Sequence, residues 1–372
     1  MSIRILIGGD VAPTASNEKV FAEDAPSLFH GELLSVWLSA DARICNLETP
    51  LSDKASPIEK CGPHLRAPAA CADGLAALKL TAAGLANNHC FDHGADALAE
   101  TTRLLDERHI AHFGAGGDLA AADQAYFYEK DGLRIGFYAV CEREFSQAGA
   151  SRPGANPFDP LETPDRIRAL AAQCDHLIVL FHGGREQFPF PSPGLQKACR
   201  KLVSCGARLV LCQHSHIVGC AEAYGGGTIV YGQGNFLFDA DDAPACFDTG
   251  LLVDAAFTKD AVKVDYRPLR RTDHGVRLAD GEDADAILGG FTARSREIAT
   301  AGFVERRFAA YAAEKKEAML RVFLGGNPLL RAVNALYGRK PSRVYGAQQL
   351  ANIENTVGCE TLRELLLKGL DD

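Results

Sequence analysis

Ile5-Leu6-Ile7-Gly8-Gly9-Asp10 is the stretch that decides the fold of this chain. Its run of large apolar residues indicates a strand buried on both faces, and the two glycines and the carboxylate mark the point where the strand ends. Four further apolar runs end in the same way, at Glu48, Asn88, His182 and His214. Because sites in α/β proteins lie beyond the carboxyl ends of such strands, the repetition predicts one site assembled from several strand ends.

Helical stretches alternate with these apolar runs over the first two thirds of the chain, which predicts a layered α/β fold. The predicted strands are 3–8, 42–47, 80–86, 134–140, 176–181, 208–212 and 228–231, followed by edge strands at 250–257 and 262–268. The predicted helices are 28–40, 68–77, 95–108, 117–122, 162–173 and 194–205.

The pattern changes towards the end of the chain, and it predicts three parts. Residues 1–270 form the α/β domain, residues 271–299 a polar connector, and residues 300–372 a helical C-terminal extension with helices near 328–337 and 346–368. Leu362, Leu365 and Leu366 follow helical spacing and form an apolar face. This face fits either packing on the α/β domain or a homo-oligomer built through the C-terminal helices.

Length, charge and composition restrict the class of protein. The chain has 372 residues, 47% of them hydrophobic, and a net charge of -9, which argues against a general nucleic-acid binder. No signal sequence is recognisable, and no run approaches the roughly 18 apolar residues that span a bilayer. We therefore expect a cytoplasmic protein with no direct membrane insertion. The twelve cysteines form no CxxC pair, so reduced thiols are expected.

The polar residues at the strand ends are ligands that transition metals prefer. They combine two carboxylates, one amide and three imidazoles, namely Asp10, Glu48, Asn88, His182, His214 and His216. Imidazole and carboxylate together suit Mn, Fe or Zn better than Mg. A single histidine such as His182 is more often structural, because imidazole forms hydrogen bonds readily in partly buried sites. The ordered set of six favours a metal centre.

The motif series resembles the CapA family, named for poly-gamma-glutamate capsule synthesis and part of the calcineurin-like metallophosphoesterase superfamily. The motifs are Gly9-Asp10, Asn46-Leu47-Glu48, Ala86-Asn87-Asn88-His89 with Asp92-His93-Gly94, His182-Gly183-Gly184-Arg185-Glu186, Gln213-His214-Ser215-His216 and Gly234-Asn235-Phe236. The resemblance runs from residue 3 to about 240. It implies a four-layer αββα metallophosphoesterase-like sandwich with two metals at the strand ends.

The resemblance also implies roles for single residues. Glu48 takes the place of a bridging carboxylate. Asp10 and His216 would hold the first of two divalent transition metals, and Asn88, His182 and His214 would hold the second. His89 would face the substrate, either as general acid or to stabilise the leaving oxygen.

Two departures from the superfamily pattern accompany this assignment. Ala12 stands where a histidine ligand is usual, and Glu48 stands where aspartate usually bridges. The first metal site is therefore one protein ligand short.

Several residues near the proposed ligands in the sequence are open to two interpretations of their role. Asn87, Asp92 and Glu186 are candidates for supporting the ligands or binding substrate. Asp92 and His93 equally fit the N-terminal cap of the following helix. The two arginines Arg143 and Arg185 fit either an anion grip or ordinary surface positions.

Three functions follow from these residues. The first is a metal-dependent phosphoesterase acting on a small anionic, phosphorylated substrate. The second is an enzyme of capsule or poly-gamma-glutamate metabolism acting on an amide or peptide-like substrate. The third is a non-catalytic binding subunit with a degenerate site, which the missing histidine at Ala12 suggests.

Overall fold

The computed structural model describes residues 2–239, 245–323, 328–338 and 340–370. The strands are β1 (Ile3–Ala12), β2 (Phe29–His30), β3 (Ala42–Leu47), β4 (Ala82–Gly84), β5 (Ala111–Phe113), β6 (Ala115–Gly116), β7 (Tyr126–Lys130), β8 (Leu133–Cys141), β9 (Gly154–Ala155), β10 (His176–His182), β11 (Ala207–Gln213), β12 (Val218–Tyr224), β13 (Gly227–Gln233), β14 (Asn235–Phe238), β15 (Thr249–Phe257), β16 (Val262–Arg271) and β17 (Val276–Leu278).

Helices connect and follow these strands. They are α1 (Glu18–Asp24), α2 (Leu33–Leu38), α3 (Cys71–Ala77), α4 (Gly94–Glu107), α5 (Leu119–Ala122), α6 (Glu162–Ala171), α7 (Pro193–Ser204), α8 (Gly281–Ile298), α9 (Phe303–Val322), α10 (Pro328–Leu336), α11 (Pro341–Val344), α12 (Ala347–Gly358) and α13 (Glu360–Leu370). The helix predicted at 28–40 is wrong in its first part. Phe29 pairs with Val276 there, and Gly31 turns the chain with a φ of +62° before α2 begins.

Two sheets organise the α/β fold. The larger has nine strands in the order β2-β17-β16-β15-β1-β3-β4-β5, and β14 pairs in addition with β1; the smaller has six, in the order β12-β13-β11-β10-β8-β7. β1, β3, β4 and β5 run parallel to one another, as do β8, β10, β11 and β13. Parallel strands align their carboxyl ends at one edge, so both sheets deliver their terminal side chains to one site.

Alternate residues of β10 show how the layers pack. Ile178 and Leu180 belong to the large core shared with the nine-stranded sheet. Val179 and Phe181 belong to a second core that includes residues of α6 and α7. A strand with both faces apolar therefore packs against a sheet on one side and helices on the other. With α2, α3 and α4 contributing to the large core, this gives the predicted αββα sandwich.

Residues 271–299 contain regular structure that the expected connector does not describe. They hold β17 and α8, and Arg294 of α8 donates hydrogen bonds to the carbonyl oxygens of Gly219 (2.8 Å) and Val218 (2.9 Å). The chain divides into two compact units, Met1–Val304 and Glu305–Asp372. The domain boundaries at 270 and 299 stay predictions.

The second unit consists of helices. The helix predicted at 346–368 is interrupted, since α12 ends at Gly358 and α13 begins at Glu360. Within this unit the Glu317 carboxylate accepts hydrogen bonds from the backbone N–H of Ser342 (3.0 Å) and from its hydroxyl, which joins α9 to α11. Among the residues that the structure describes, every helix is too short or too polar to cross a bilayer.

Candidate metal centre

Four of the predicted ligands lie where parallel strands end. Asp10 lies near the end of β1 and pairs in register with Asn46 of β3, while Glu48 follows that strand directly. His182 ends β10, opposite Gln213 of β11, and His214 follows. The nine-stranded sheet thus supplies the carboxylates, and the six-stranded sheet supplies imidazoles.

Glu48 is the most unusual residue of the site. It is fully buried, and neither of its carboxylate oxygens has a hydrogen-bond partner among the described residues. Burial, followed by the negative charge of Asp10, raises the pKa of Glu48 to about 8. A buried carboxylate that accepts no hydrogen bond is costly, because nearby imidazoles alone do not replace the water that it loses. This position therefore suits a cation.

The other ligands surround Glu48 in two overlapping groups. Glu48, His214 and His216 form one, and Asp10, Glu48 and His182 form the other, with the ligand atoms of each group within 4.8 Å of one another. Glu48 is shared by both groups, as a bridging carboxylate would be. The donor set of carboxylate oxygens and imidazole nitrogens fits divalent transition metals.

The two groups of neighbouring ligand atoms pair the histidines with the carboxylates differently from the assignment to two metal ions that the resemblance implies. That assignment places His216 with Asp10 and His182 with His214. The Asp10 Oδ2 atom lies 3.6 Å from His216 Nδ1, and the rings of His182 and His214 are 4.8 Å apart. Both divisions are compatible with these short distances, so the assignment of each ligand to one of two ions stays a prediction.

His182 contacts both carboxylates and the predicted amide ligand. Its Nε2 atom lies 2.9 Å from the Oδ1 of Asn88 and 3.2 Å from the Oε1 of Glu48. Burial lowers the pKa of His182, although the charge of Asp10 acts in the opposite direction. A neutral imidazole results, which is the form that binds metals.

His214 and His216 both adopt left-handed backbone conformations, with φ values of +80° and +56°. Two residues of this kind around Ser215 provide the turn that brings both rings to the site, and such conformations in residues other than glycine mark functional segments. Burial, followed by the charges of His182 and His216, lowers the pKa of His214 well below its usual range. The Nδ1 atom of His214 is buried without a hydrogen-bond partner among the described residues.

Asp10 is held in place by two donors. Its Oδ1 accepts a hydrogen bond from the Asn46 side chain (2.7 Å), and its Oδ2 accepts one from the backbone N–H of His214 (3.2 Å). The neighbouring Gly9 is required by close packing, since a Cβ there would lie 2.1 Å from the carbonyl oxygen of Gly234. The carboxylate is therefore oriented before any ligand binds.

His89 belongs to a buried trio. Its Nδ1 lies 2.7 Å from the Oδ2 of Asp92, and the ammonium of Lys60 forms an ion pair with Oδ1 of the same carboxylate. Burial acts to raise the pKa of Asp92, but the hydrogen bond and charge of His89 and the hydrogen bond from Lys60 outweigh it, and the net pKa is lowered. Asp92 therefore orients His89.

The interpretation of Asp92 and His93 as a helix cap holds by position only, because His93 is the N-cap residue of α4. His93 is the residue before α4, and its side chain makes no capping hydrogen bond. Its Nδ1 instead accepts a hydrogen bond from the backbone N–H of Ser56 (2.8 Å). Both side chains are occupied by the loop that follows β3, which carries Lys60 and Leu65.

The remaining predicted residues have different surroundings. Asn87 links the segment after β4 to strand β3, because its amide donates to the Oδ1 of Asn46 (3.1 Å) and its Oδ1 accepts from the backbone N–H of His89 (3.1 Å). Glu186 is half-buried, and its charge acts to raise the pKa of His182. Arg143 is bound to Asp159 at 2.8 Å.

Four further residues contribute that were not among the predicted site residues. Asn46 contacts both Asp10 and, at 3.2 Å, the Nδ1 of His182, and Asn235 accepts a hydrogen bond from His216 (2.9 Å). Lys60 joins the trio, and Glu144 lies 3.5 Å from His214. The two asparagines lie within the quoted motifs Asn46-Leu47-Glu48 and Gly234-Asn235-Phe236, and that membership was the available signal.

Comparison with known proteins shows relatives in capsule synthesis. The chain is 30% identical over 166 residues to the PGA biosynthesis protein CapA of Bacillus subtilis, a match that covers 44% of this chain and 43% of the relative. It is 28% identical over 224 residues to a probable polyglutamine synthesis accessory protein of Mycobacterium tuberculosis, covering 56% of this chain and 59% of that protein. The chain thus matches less than two thirds of the length of either relative.

A solved structure of a novel phosphatase from Mycoplasma pneumoniae is also similar. It is 14% identical, with a TM-score of 0.46, and the match covers 73% of this chain and 95% of that one. A likeness at this level says nothing about activity. The family comparison is decisive, since the model of one family matches residues 4–240, well over half of the chain, and confirms the resemblance to CapA. This protein belongs to the bacterial capsule synthesis protein family PGA_cap.

Proposed function

We propose that this protein is a metal-dependent hydrolase that cleaves a phosphate ester at a centre of two divalent transition metals. The observation that carries the proposal is the buried Glu48 carboxylate, which accepts no hydrogen bond from the part of the chain that the structure describes and is shared by two groups of potential ligands. Two cations sharing one carboxylate are typical of hydrolytic dinuclear sites. Manganese, iron and zinc all suit the donor set.

Asp10, Glu48, His182, His214 and His216, together with Asn88, would hold the ions. Bound there, the metals would supply Lewis acidity for activating water and for polarising a phosphoryl oxygen. The chain's own contribution is to fix the ligands. Asn46 orients Asp10, and Asn235 accepts the Nδ1 hydrogen bond of His216, which leaves Nε2 of that ring on the side of Glu48.

His89 is proposed to give a proton to the departing oxygen of the substrate. Its Nδ1 is committed to Asp92, so Nε2 is the nitrogen that can exchange a proton. The aspartate fixes the tautomer and orientation of the ring, as in other histidine–carboxylate pairs. Lys60 holds the other oxygen of Asp92 and so keeps the pair in place.

The proposed substrate is small and anionic. Arg185 is exposed on the loop after β10, and its positive charge is among those that lower the pKa of His214, so it lies close to the centre. A guanidinium can bind two phosphate oxygens at once. Arg143 serves as a matched control, because it is exposed on a neighbouring loop but paired with Asp159.

The test combines metal analysis with a phosphoester screen. Protein purified without chelator should contain about two transition-metal ions per chain and hydrolyse members of the panel. Glu48→Gln and His182→Ala should lose both metal and activity. His89→Ala should keep the metal and lose activity by about 10²–10⁴-fold, the usual contribution of a general acid. Arg185→Ala should raise KM, whereas Arg143→Ala should leave it unchanged.

A different result would remove the proposal. Stoichiometric metal without turnover of any phosphoester would leave two candidates. The relatives' names, PGA biosynthesis and polyglutamine synthesis, favour an enzyme that acts on an amide or peptide-like glutamate polymer. Cleavage of glutamate oligomers would support it. Binding of the oligomers without cleavage would favour a non-catalytic subunit, consistent with Ala12 in place of a ligand.

A further inference from the structure

His214 presents its two ring nitrogens to different surroundings. Its Nδ1 atom is buried and has no hydrogen-bond partner in the part of the chain that the structure describes. Its Nε2 atom lies 3.5 Å from the Oε1 atom of Glu144, a side chain that is 35% exposed. A neutral imidazole carries its proton on one nitrogen and a lone pair on the other, so these surroundings decide which nitrogen can bind a metal ion.

The backbone of His214 places Nδ1 on the side of the carboxylates. The backbone N–H of His214 donates a hydrogen bond to the Oδ2 atom of Asp10 (3.2 Å), and His214 forms one group of potential ligands with Glu48 and His216. Nδ1 is the ring nitrogen nearer to its own backbone, because it is bonded to the ring carbon that joins the side chain. The buried Nδ1 therefore suits an ion, and the outer Nε2 is left to Glu144.

The segment that carries Glu144 is anchored on both sides. Before it, the backbone N–H of Glu142 donates a hydrogen bond to the carbonyl oxygen of His182, the last residue of β10 (3.0 Å). After it, the buried hydroxyl of Ser146 donates one to the carbonyl oxygen of Asn87 (2.7 Å). The backbone at Glu144 is thus held beside the candidate ligands, whereas its partly exposed side chain can rotate.

Two other histidines of the site already have a side-chain partner on one ring nitrogen. The Oδ1 atom of Asn235 lies 2.9 Å from Nδ1 of His216, and the Oδ2 atom of Asp92 lies 2.7 Å from Nδ1 of His89. Each partner occupies one nitrogen and leaves the other available. Glu144 gives His214 the same arrangement with the two nitrogens exchanged.

We propose that Glu144 is a positioning residue for His214, whose Nε2–H donates a hydrogen bond to the Glu144 carboxylate while Nδ1 keeps its lone pair for a metal ion. The separation of 3.5 Å exceeds the length of a normal N–H···O bond, about 2.7–3.2 Å, and a small rotation of the Glu144 side chain closes it. A carboxylate behind a metal-binding imidazole fixes the ring and makes the other nitrogen a stronger ligand. The inference rests on the metal centre of the proposed function and is independent of the reaction that the centre catalyses.

The first test measures metal affinity. Competition with a chromophoric chelator gives the apparent affinity of the full chain for zinc. Glu144→Ala should lower this affinity about 10–100-fold, the usual effect of removing a partner of a metal-binding histidine. Glu144→Gln keeps an acceptor oxygen but loses the charge, so its loss should be smaller. Glu162→Ala is the matched control, since it removes the same charge from an exposed position on α6 and should leave the affinity unchanged.

The second test locates the proton of His214 in the metal-free chain. NMR of the histidine ring nitrogens, assigned by comparison with His214→Ala, should place the proton on Nε2. Its exchange with water should become faster in Glu144→Ala and stay the same in Glu162→Ala, because only the first variant loses the acceptor.

Three results would overturn the proposal: a proton on Nδ1 of His214 in the wild-type chain, unchanged zinc affinity in Glu144→Ala, or an equal loss of affinity in Glu162→Ala. A wild-type chain that binds no zinc contradicts the proposed function instead. The proton exchange of His214 then still decides the role of Glu144, so the two failures are distinguishable.

Discussion

Replacing Glu48 by glutamine should make the metal-free protein more stable, although the same change should abolish metal binding. The wild-type carboxylate is fully buried, and its oxygens lack hydrogen-bond partners among the described residues. Glutamine has nearly the same shape but carries no charge at any pH. The substitution therefore removes the cost of keeping this buried group charged, or of protonating it, without opening a cavity.

The size of the effect follows from the pKa of Glu48, which burial and then Asp10 raise from 4.5 to about 8. The folded protein therefore keeps a proton that the unfolded chain releases above pH 4.5. The stability that this proton confers is complete below pH 4.5 and is lost as the pH rises towards 8. At about 1.4 kcal/mol per pH unit, the loss reaches about 3 kcal/mol at pH 7. For a unit of this size, that is about 5 °C in Tm.

Thermal unfolding followed by circular dichroism with excess chelator measures this difference between pH 4.5 and 8. Asp10→Asn is the matched control, since it removes the same charge nearby. Asp10 accepts hydrogen bonds from Asn46 and from the His214 N–H, so an amide there should lower metal-free stability by about 1–3 kcal/mol. Opposite signs for the two variants are expected. A Tm decrease for Glu48→Gln in chelator, or retained metal binding, would refute the reasoning.

Three further predictions concern other parts of the protein. Lys60→Met should lower kcat at least about tenfold, because Asp92 loses the cation that holds it beside the proposed general acid His89. The metal content should not change. Steady-state kinetics measures the first effect, and metal analysis measures the second. Asp254→Asn should cost about 1–3 kcal/mol in urea unfolding at pH 7, since its carboxylate binds Arg4 at 2.7 Å. Burial opposes ionisation of Asp254, but its ion pairs leave the pKa lowered, so this contribution should fade only as the pH falls below about 4. Gly9→Ala should lower the free energy of unfolding by about 3 kcal/mol or more, because the added Cβ would lie 2.1 Å from a backbone oxygen, and an unchanged urea midpoint would contradict that packing.

The central strands could be predicted because their residues are apolar on both faces. β1 and β10 are central strands whose two faces are both covered by packed layers. Burial therefore favours apolar residues such as Ile5 and Val179 at successive positions, and the sequence shows that run. Short strands such as β2 and β14 carry no such signal. β2 has two residues, and pairing with β17, far away in sequence, decides its conformation.

The ligands of the candidate site could be selected for a similar reason. Each is a polar residue at or within a few residues of the end of a buried strand, and the topology then brings them together. Lys60 had no comparable signal, because it lies in the irregular loop between β3 and α3. Its position follows from contacts with Asp92, a residue from a different loop, and no local pattern encodes such a contact.

The site draws its ligands from both sheets of the sandwich. Asp10 and Glu48 belong to the larger sheet, and His182 and His214 to the smaller one. An ion bound by both sets of ligands would link the two sheets. The free energy of ion binding would therefore also stabilise the packing of one sheet on the other. Removal of the ion should therefore increase the rate of amide hydrogen exchange near the carboxyl ends of β1 and β10 more than the rate in the outer helices.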